Sequence, residues 1–167
     1  MPVQTKKINP PRGIARVLWR LPIWLFRLHL GWLFQKRMLL LTHTGRKSGL
    51  PRQTVLEVIQ YDGAKQRYTV FSGWGEQSDW VKNCEKTPQV IIQVGQRSFH
   101  AQAIRPAAEE AETILLAYAR RYPRLILFFF RFLGYRLDGT EEDIRAMARQ
   151  SAIITFAVIS ACAASKV

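Results

Sequence analysis

The sequence has few cysteines and none of the pairings that cysteines usually make. Cys84 and Cys162 are far apart in the 167 residues, and neither has a second Cys or a His at the spacing of a zinc site. The sequence therefore suggests neither a disulfide framework nor a metal site, and a reducing compartment is predicted. Cys84 falls in a predicted short helix, where we expect a small core residue rather than a nucleophile.

Long apolar runs and a secretory signal are also missing. The longest apolar stretches, Leu21 to Phe34 and Leu125 to Tyr135, are each interrupted by an arginine and are too short for a plain membrane span. The N-terminal residues lack the small-residue cleavage site of a signal peptide. We therefore expect a cytoplasmic protein, and peripheral contact with the inner face of the cell membrane stays open.

Acidic residues are absent from the first third of the chain. The formal net charge is +13, and no Asp or Glu precedes Glu57. Such an excess of positive charge favours acidic partners, namely nucleic acid, anionic lipid or a polyanionic small molecule. No base-reading motif accompanies the charge, so nucleic acid is disfavoured as a partner. The sequence does not indicate an oligomeric state.

The N-terminal residues predict an arm followed by basic helices. Residues 1–10 are polar and lead into a Pro-Pro pair, so we expect a flexible arm. Residues 11–37 carry arginines at helical spacing and, after Pro22, a run rich in aromatic side chains. Two interpretations stay open for these helices: they cover one end of the core, or they lie on an anionic membrane surface.

Residues 38–105 show the alternation of successive hairpin strands, and they are predicted to form the barrel. Met38 to Leu41 predicts the end of a buried strand, and Gln53 to Gln60 predicts the next strand. Ser78 is predicted to cap a short helix. The remaining elements predicted in this region are strands at Arg67–Gly73, Gln89–Val94 and Arg97–Arg105 and a helix at Asp79–Lys86.

Residues 106–167 predict helices followed by a last strand. The predicted elements are helices from Pro106 to Arg121, from Leu125 to Leu133 and from Thr140 to Gln150, and a strand from Ala152 to Ser160. With the preceding region they predict one domain, residues 11–167, that is mainly β with appended helices (α+β) and forms a small antiparallel barrel. A Rossmann fold is disfavoured, because strands and helices do not alternate.

The basic turn, residues 44–52, joins the first two strands of the predicted barrel. It contains Arg46, Lys47 and Arg52, and its two glycines allow backbone N–H groups to approach a ligand. An arginine holds a phosphate in bidentate fashion, and a lysine adds a mobile charge. From spacing alone, an anion site and an ordinary solvent-exposed turn remain equally open. A Walker loop is excluded, because a strand follows the second glycine.

Three segments together resemble a known family. They are LLTHTGRKSGLPR at residues 40–52, SDWVKN at 78–83, and the predicted strand at 88–94 with its Gly95 turn. This combination is similar to the deazaflavin-dependent nitroreductases, which are split-barrel proteins related to the flavin-mononucleotide (FMN)-binding oxidoreductases. The resemblance implies a split β-barrel that binds reduced coenzyme F420 and transfers its hydride to a small apolar acceptor of the quinone, nitro or other activated type.

The resemblance also implies a set of cofactor-binding residues. The phosphodiester and oligoglutamate arm of F420 is expected on Arg46, Lys47, Ser48, Gly49 and Arg52. The deazaflavin ring is expected against Val55, Glu57, Ser72, Gly73, Trp80, Val81 and Asn83. No catalytic residue is assigned, and the candidate proton donors are Ser72, Tyr118, Tyr122 and Tyr135.

Two alternatives to this function stay open. The first is an FMN-dependent reductase of the same fold, since the terminal phosphate of FMN also suits the basic turn. The second is a non-enzymatic protein that binds a fatty acid or another anionic lipid, with the aromatic side chains of residues 128–132 lining its pocket. One departure from the family pattern is Gly73, which occupies a position where members often have a lysine.

Overall fold

The structure is a computed structural model that describes residues 3–4, 21–28, 30–34, 36–73, 75–132 and 134–162. Its strands are β1 (Val3–Gln4), β2 (Met38–Thr44), β3 (Pro51–Asp62), β4 (Arg67–Ser72), β5 (Gln89–Val94), β6 (Arg97–Ile104), β7 (Tyr135–Arg136) and β8 (Ala152–Ala161). Its α-helices are α1 (Leu21–Arg27), α2 (Asp79–Lys86), α3 (Ala108–Arg121), α4 (Pro123–Phe132) and α5 (Glu141–Gln150), and short 3-10 helices span Leu30–Phe34 and Gly75–Gln77.

Six of the strands close into a barrel. Their order around the barrel is β2-β3-β4-β8-β6-β5, and each neighbouring pair is antiparallel. Closure pairs both edges of every strand, so no barrel edge is left open for another chain. The predicted small antiparallel barrel with appended helices is confirmed.

The alternation of side chains along the strands builds two cores. Leu39, Leu41 and Phe156 point into the barrel and belong to a buried interior cluster. A second cluster lies between the outer face of the barrel, represented by Phe71, and the buried face of the helices, represented by Leu115. The barrel therefore keeps helices α3, α4 and α5 on one side of its outer surface.

The barrel boundaries differ from those predicted. Residues 38–105 supply only five of its strands, and the sixth is β8, which lies between β4 and β6. Strand β8 is required because Ile154 and Phe156 fill the barrel interior. Strand β3 is also longer than the predicted Gln53–Gln60, and α3 begins at Ala108 rather than Pro106.

The N-terminal predictions are met only in part. Within the arm expected at residues 1–10, Val3–Gln4 instead pair antiparallel with Tyr135–Arg136, and the rest of that arm lies outside the described residues. The part of the predicted N-terminal helix from Arg12 to Arg20 also lies outside the described residues. Among the described residues, no helix is long and apolar enough to cross a membrane. Contact of residues 11–37 with a membrane surface stays a prediction.

The phenylalanines of α4 are divided between the core and the surface. Phe130 is fully buried, whereas Phe128 is 68% exposed and Phe132 is 45% exposed. The helix therefore contributes one ring to the outer core, and Phe129 packs partly against the same cluster.

Candidate cofactor site

The backbone of both glycines in the basic turn forms hydrogen bonds that close the turn. The N–H of Gly45 donates to the carbonyl of Leu50 at 2.9 Å, and the N–H of Gly49 donates to the carbonyl of Gly45 at 2.8 Å. Gly49 has φ of +68°, and a Cβ on Gly45 would lie 2.8 Å from the Ser48 hydroxyl oxygen. A residue with a side chain is strained at Gly49, and at Gly45 it forces the exposed Ser48 side chain to move, so the turn favours glycine at both positions.

Helix α2 closes the mouth of the barrel beside this turn. Trp80, Val81 and Cys84 are buried in the interior core, and the Trp80 ring lies 6.5 Å from that of Phe156. Burial raises the pKa of the Cys84 thiol to about 12, so Cys84 is an inert core residue, as predicted.

An arginine bridge fixes the outer side of α2. Arg105, just after β6, contacts Glu76 Oε1 at 2.6 Å and Glu85 Oε1 at 2.6 Å. These hydrogen bonds to the carboxylates raise the pKa of Arg105 and lower the pKa of Glu76. Residues before and within α2 are thereby tied to the end of β6.

Arg46 attaches the basic turn to α2. Its guanidinium lies 2.8 Å from Asp79 Oδ1 and donates to Asn83 Oδ1 at 3.2 Å. Its backbone N–H also donates to Asn83 Oδ1 at 2.9 Å, and its carbonyl accepts from Lys86 Nζ at 2.9 Å. Arg46 therefore shapes the turn, because its backbone N–H, its carbonyl and its Nη1 all have partners on α2.

Asn83 connects this attachment to the barrel interior. Its Oδ1 accepts from Arg46, so its Nδ2 is the donor that faces His43 Nδ1 at 3.1 Å. His43 is buried and must be neutral, with Nδ1 as acceptor, for this bond to form. Burial is the main cause that lowers the pKa of His43; nearby Arg52 lowers it too, whereas a hydrogen bond to the Thr44 backbone and the charge of Asp79 oppose the shift. We call these side chains of Arg46, Asn83 and His43 the Asn83 network.

A cleft of about 440 Å³ lies between the basic turn and α2. We call it the basic cleft, and it is lined by His43, Gly45, Arg46, Lys47, Ser48, Arg52, Gln53, Thr54, Asp79, Trp80 and Asn83. Within the described part of the chain, neither Lys47 nor Arg52 forms an ion pair with a carboxylate. The backbone N–H groups of Lys47 and Ser48 also have no acceptor among the described residues. The cleft thus presents two uncompensated cations and several donors.

The structure brings together only part of the predicted site. Arg46, Lys47, Ser48, Arg52, Trp80 and Asn83 line the basic cleft, and Gly49 shapes its rim. The other predicted ring contacts lie elsewhere: Val81 is in the barrel interior, Val55 and Glu57 lie along β3 beyond the cleft, and Ser72 and Gly73 lie at the end of β4. Whether these residues bind the cofactor stays a prediction.

Two of the four candidate proton donors, Ser72 and Tyr118, already have hydrogen-bond partners. The Ser72 and Ser78 hydroxyls are 2.5 Å apart and buried, and Ser78 occupies the N-cap position of α2 although its hydroxyl accepts no hydrogen bond from the backbone N–H groups of the helix. Tyr118 donates to Glu57 Oε1 at 2.5 Å, and burial followed by this hydrogen bond raises the pKa of Tyr118. Tyr122 and Tyr135 pack against the outer core. None of the three tyrosines lines the basic cleft.

Five residues that line the cleft are not among the predicted cofactor-binding residues, namely His43, Gly45, Gln53, Thr54 and Asp79. His43 was part of the quoted motif without a role, although its position two residues after Leu41 on an alternating strand places it on the inward face. Asp79 was predicted only as the start of a helix, and its pairing with Arg46 is not visible in the sequence. Among the described residues, no group of three or more His, Cys, Asp or Glu is placed to hold a metal ion.

The closed six-stranded barrel, with helices on its outer face and a basic turn at one mouth, defines a split-barrel protein. The chain belongs to the F420H(2)-dependent quinone reductase family, whose model matches residues 26–124. This confirms the resemblance to deazaflavin-dependent reductases and identifies an oxidoreductase family. It does not specify a nitro acceptor.

Solved structures share the fold. An F420-H2 dependent reductase (FDR-A) is 21% identical and has a TM-score of 0.50, over 73% of this chain and 95% of its own. The protein Atu2129 of unknown function from Agrobacterium tumefaciens is 14% identical with a TM-score of 0.55, over 94% of this chain and 60% of its own. The heme storage protein HutZ from Vibrio cholerae is 14% identical with a TM-score of 0.51, over 84% of this chain and 92% of its own.

Replacing Asn83→Ala is expected to lower the free energy of unfolding by about 1–3 kcal/mol, because it leaves buried groups of His43 and Arg46 without partners. The matched control is Gln102→Ala, an exposed side chain on β6, which should change stability by no more than about 0.5 kcal/mol. Urea unfolding at pH 7.5 measures both variants. Equal stability of the two would show that the Asn83 network does not hold the turn.

Acid is expected to weaken the Asn83 network. The pKa of His43 is lower in the folded than in the unfolded protein, so the unfolded state binds more protons as the pH falls below about 6.5. Stability is therefore expected to decrease on acidification from pH 7.5 to 5.5. His43→Asn keeps an acceptor near the Nδ1 position without this titration, and it should lose less stability than the wild type over the same interval. Urea unfolding at both pH values tests this, and an identical loss in both proteins contradicts it.

Proposed function

We propose that the basic cleft binds the anionic arm of F420H2 and that the protein catalyses transfer of a hydride from F420H2 to a quinone-like or nitro acceptor. The observation that carries the proposal is the division among the cations of the turn. Arg46 is neutralised by Asp79, whereas Lys47 and Arg52 face the cleft without a carboxylate partner in the described residues. A polyanion supplies the missing counter-charge.

The residues of the cleft fit such a group. A phosphodiester or glutamate carboxylate needs cations and N–H donors, which Lys47, Arg52 and the backbone of the turn supply. The acidic residue that lines the cleft, Asp79, has its charge opposed by Arg46 at 2.8 Å. The Asn83 network keeps these donors in place before a ligand arrives, so less conformational entropy is lost on binding.

A neighbouring cleft of about 380 Å³ offers a place for an apolar acceptor. It is lined by Ile23, Trp24 and Arg27 of α1 and by Thr42, Pro51, Arg52 and Gln53 of the barrel. Arg52 and Gln53 also line the basic cleft, so the two clefts adjoin. The Gln53 amide oxygen accepts from Arg27 at 2.8 Å, and its nitrogen donates to Thr42 at 3.2 Å, which fixes the shared wall.

The protein's part in the reaction is positioning. Bound F420H2 supplies the hydride. Lys47 and Arg52 hold the anionic arm, the Asn83 network keeps the turn against α2, and Trp24 provides an apolar surface that displaces water from an acceptor. The proposal assigns no proton donor, and Ser72 remains a candidate.

Substitution of Lys47→Ala or Arg52→Ala is expected to weaken F420 binding by about three- to tenfold each, since each removes a charge-assisted contact at a partly exposed site. Isothermal titration of the purified protein measures the affinity, which should also fall as ionic strength rises. Lys65→Ala, an exposed lysine of the β3–β4 turn, is the matched control and should bind as the wild type does.

The same titrations separate the alternative functions. Tighter binding of FMN than of F420 would support a flavin reductase of the same fold. Retention of an acyl chain in native mass spectrometry, together with no F420 binding, would support a lipid-binding protein. Either result contradicts the proposal.

Trp24→Ala is expected to raise the KM for a soluble naphthoquinone by about threefold or more while leaving F420 affinity unchanged, because it removes apolar surface from the acceptor cleft only. Steady-state reduction of the quinone by F420H2 measures the KM. Trp24 is 56% exposed, so the variant should fold. The matched control is Leu28→Ala, an exposed apolar residue outside the lining of that cleft. An unchanged KM would remove Trp24 from the acceptor site.

A further inference from the structure

A second pocket lies at the opposite mouth of the barrel. Strand β3 runs from the basic turn to Asp62, and Arg52 and Tyr61 are nine residues apart on it. At about 3.3 Å per residue, this separates the two side chains by roughly 30 Å. The second pocket shares no lining residue with the two adjoining clefts that the proposed function assigns to F420H2 and to its acceptor.

The walls of this pocket are aromatic. It has a volume of about 340 Å³, its sides are formed by Trp32, Tyr61, Tyr68 and Phe99, and Val94 and Val158 contribute apolar surface. We call it the aromatic pocket. Tyr61 and Tyr68 face each other across β3 and β4, with ring centroids 4.5 Å apart and planes tilted by 33°. Planar apolar groups pack well against such walls.

Two cations stand at the aromatic walls. Lys36 Nζ lies 4.4 Å from the centre of the Tyr61 ring, and the Arg97 guanidinium lies 5.4 Å from that of Phe99. No acidic residue is among the described residues that line the pocket, and neither cation forms an ion pair within the described chain. Both cations can therefore accept an anion while they keep their contacts with the rings.

Tyr68 is neutral at physiological pH. Burial, followed by a hydrogen bond with Tyr61, raises the pKa of Tyr68 to about 12, although the charge of Arg97 opposes the shift. The Tyr68 hydroxyl thus adds no negative charge that would repel an anion.

We propose that the aromatic pocket binds a small planar aromatic carboxylate, whose ring packs against the aromatic walls and whose carboxylate meets Lys36 and Arg97. The ring requirement follows from the aromatic side chains, and the charge requirement follows from the two cations without a carboxylate. The size limit follows from the volume, which is at the small end of ligand pockets and holds a molecule of one or two rings. This site is independent of the proposed reductase function.

The test uses 2-naphthoate as the probe. Isothermal titration of the full chain is expected to show binding of 2-naphthoate that is at least about threefold tighter than binding of 2-naphthylmethanol, which lacks the charge, or of octanoate, which lacks the ring. Equal affinity for the neutral alcohol would overturn the role of the cations. Equal affinity for octanoate would overturn the role of the aromatic walls.

Two variants locate the probe. Lys36→Gln and Arg97→Gln are each expected to weaken 2-naphthoate binding by about threefold or more and to leave F420 affinity unchanged. Both side chains are exposed, so the variants should fold, and thermal unfolding checks this. Lys47→Ala is the matched control and should bind 2-naphthoate as the wild type does. Loss of the probe in Lys47→Ala would place it in the basic cleft, and its retention in both Gln variants would show that the two cations do not bind it; either result contradicts the proposal.

Discussion

The side-chain amide of Asn83 determines where the cations of the basic turn lie. It is buried, accepts two hydrogen bonds from Arg46 and donates one to His43. A buried amide that loses a partner costs about 1–3 kcal/mol, so all three residues keep one common arrangement. Trp80 and Val81 anchor α2 in the barrel interior. The hydrogen bonds of Asn83 to Arg46 therefore hold the exposed hairpin turn against a well-packed helix.

The cations of the turn differ in their partners. Arg46 pairs with Asp79, which is the acid among the described residues that line the basic cleft. Lys47 and Arg52 have no carboxylate partner among the described residues, so they make the cleft positive. In the proposed function, Lys47 and Arg52 therefore hold the anion, and Arg46 holds the turn that carries them.

The sequence predicted the individual strands and helices better than the way in which the strands close into a barrel. Side-chain alternation located strands such as β2 and β5, since alternation is a local property. It did not place β8 in the barrel, because that depends on pairing with the distant strands β4 and β6. The site shows the same limit. The motif located Lys47 and Arg52, but the ion pair between Arg46 and Asp79 joins residues too far apart in the chain to be read from a pattern.

His43 interrupts the apolar pattern of the inward-facing residues at the end of β2. Leu39 and Leu41 point into the barrel, and the next inward position carries an imidazole. A polar group there needs a partner, which Asn83 provides from α2. Tyr68 breaks the apolar pattern in the same way at the opposite mouth, where its partner is Tyr61. The apolar interior thus ends in polar side chains at both mouths, and each mouth borders a cleft with its own chemistry.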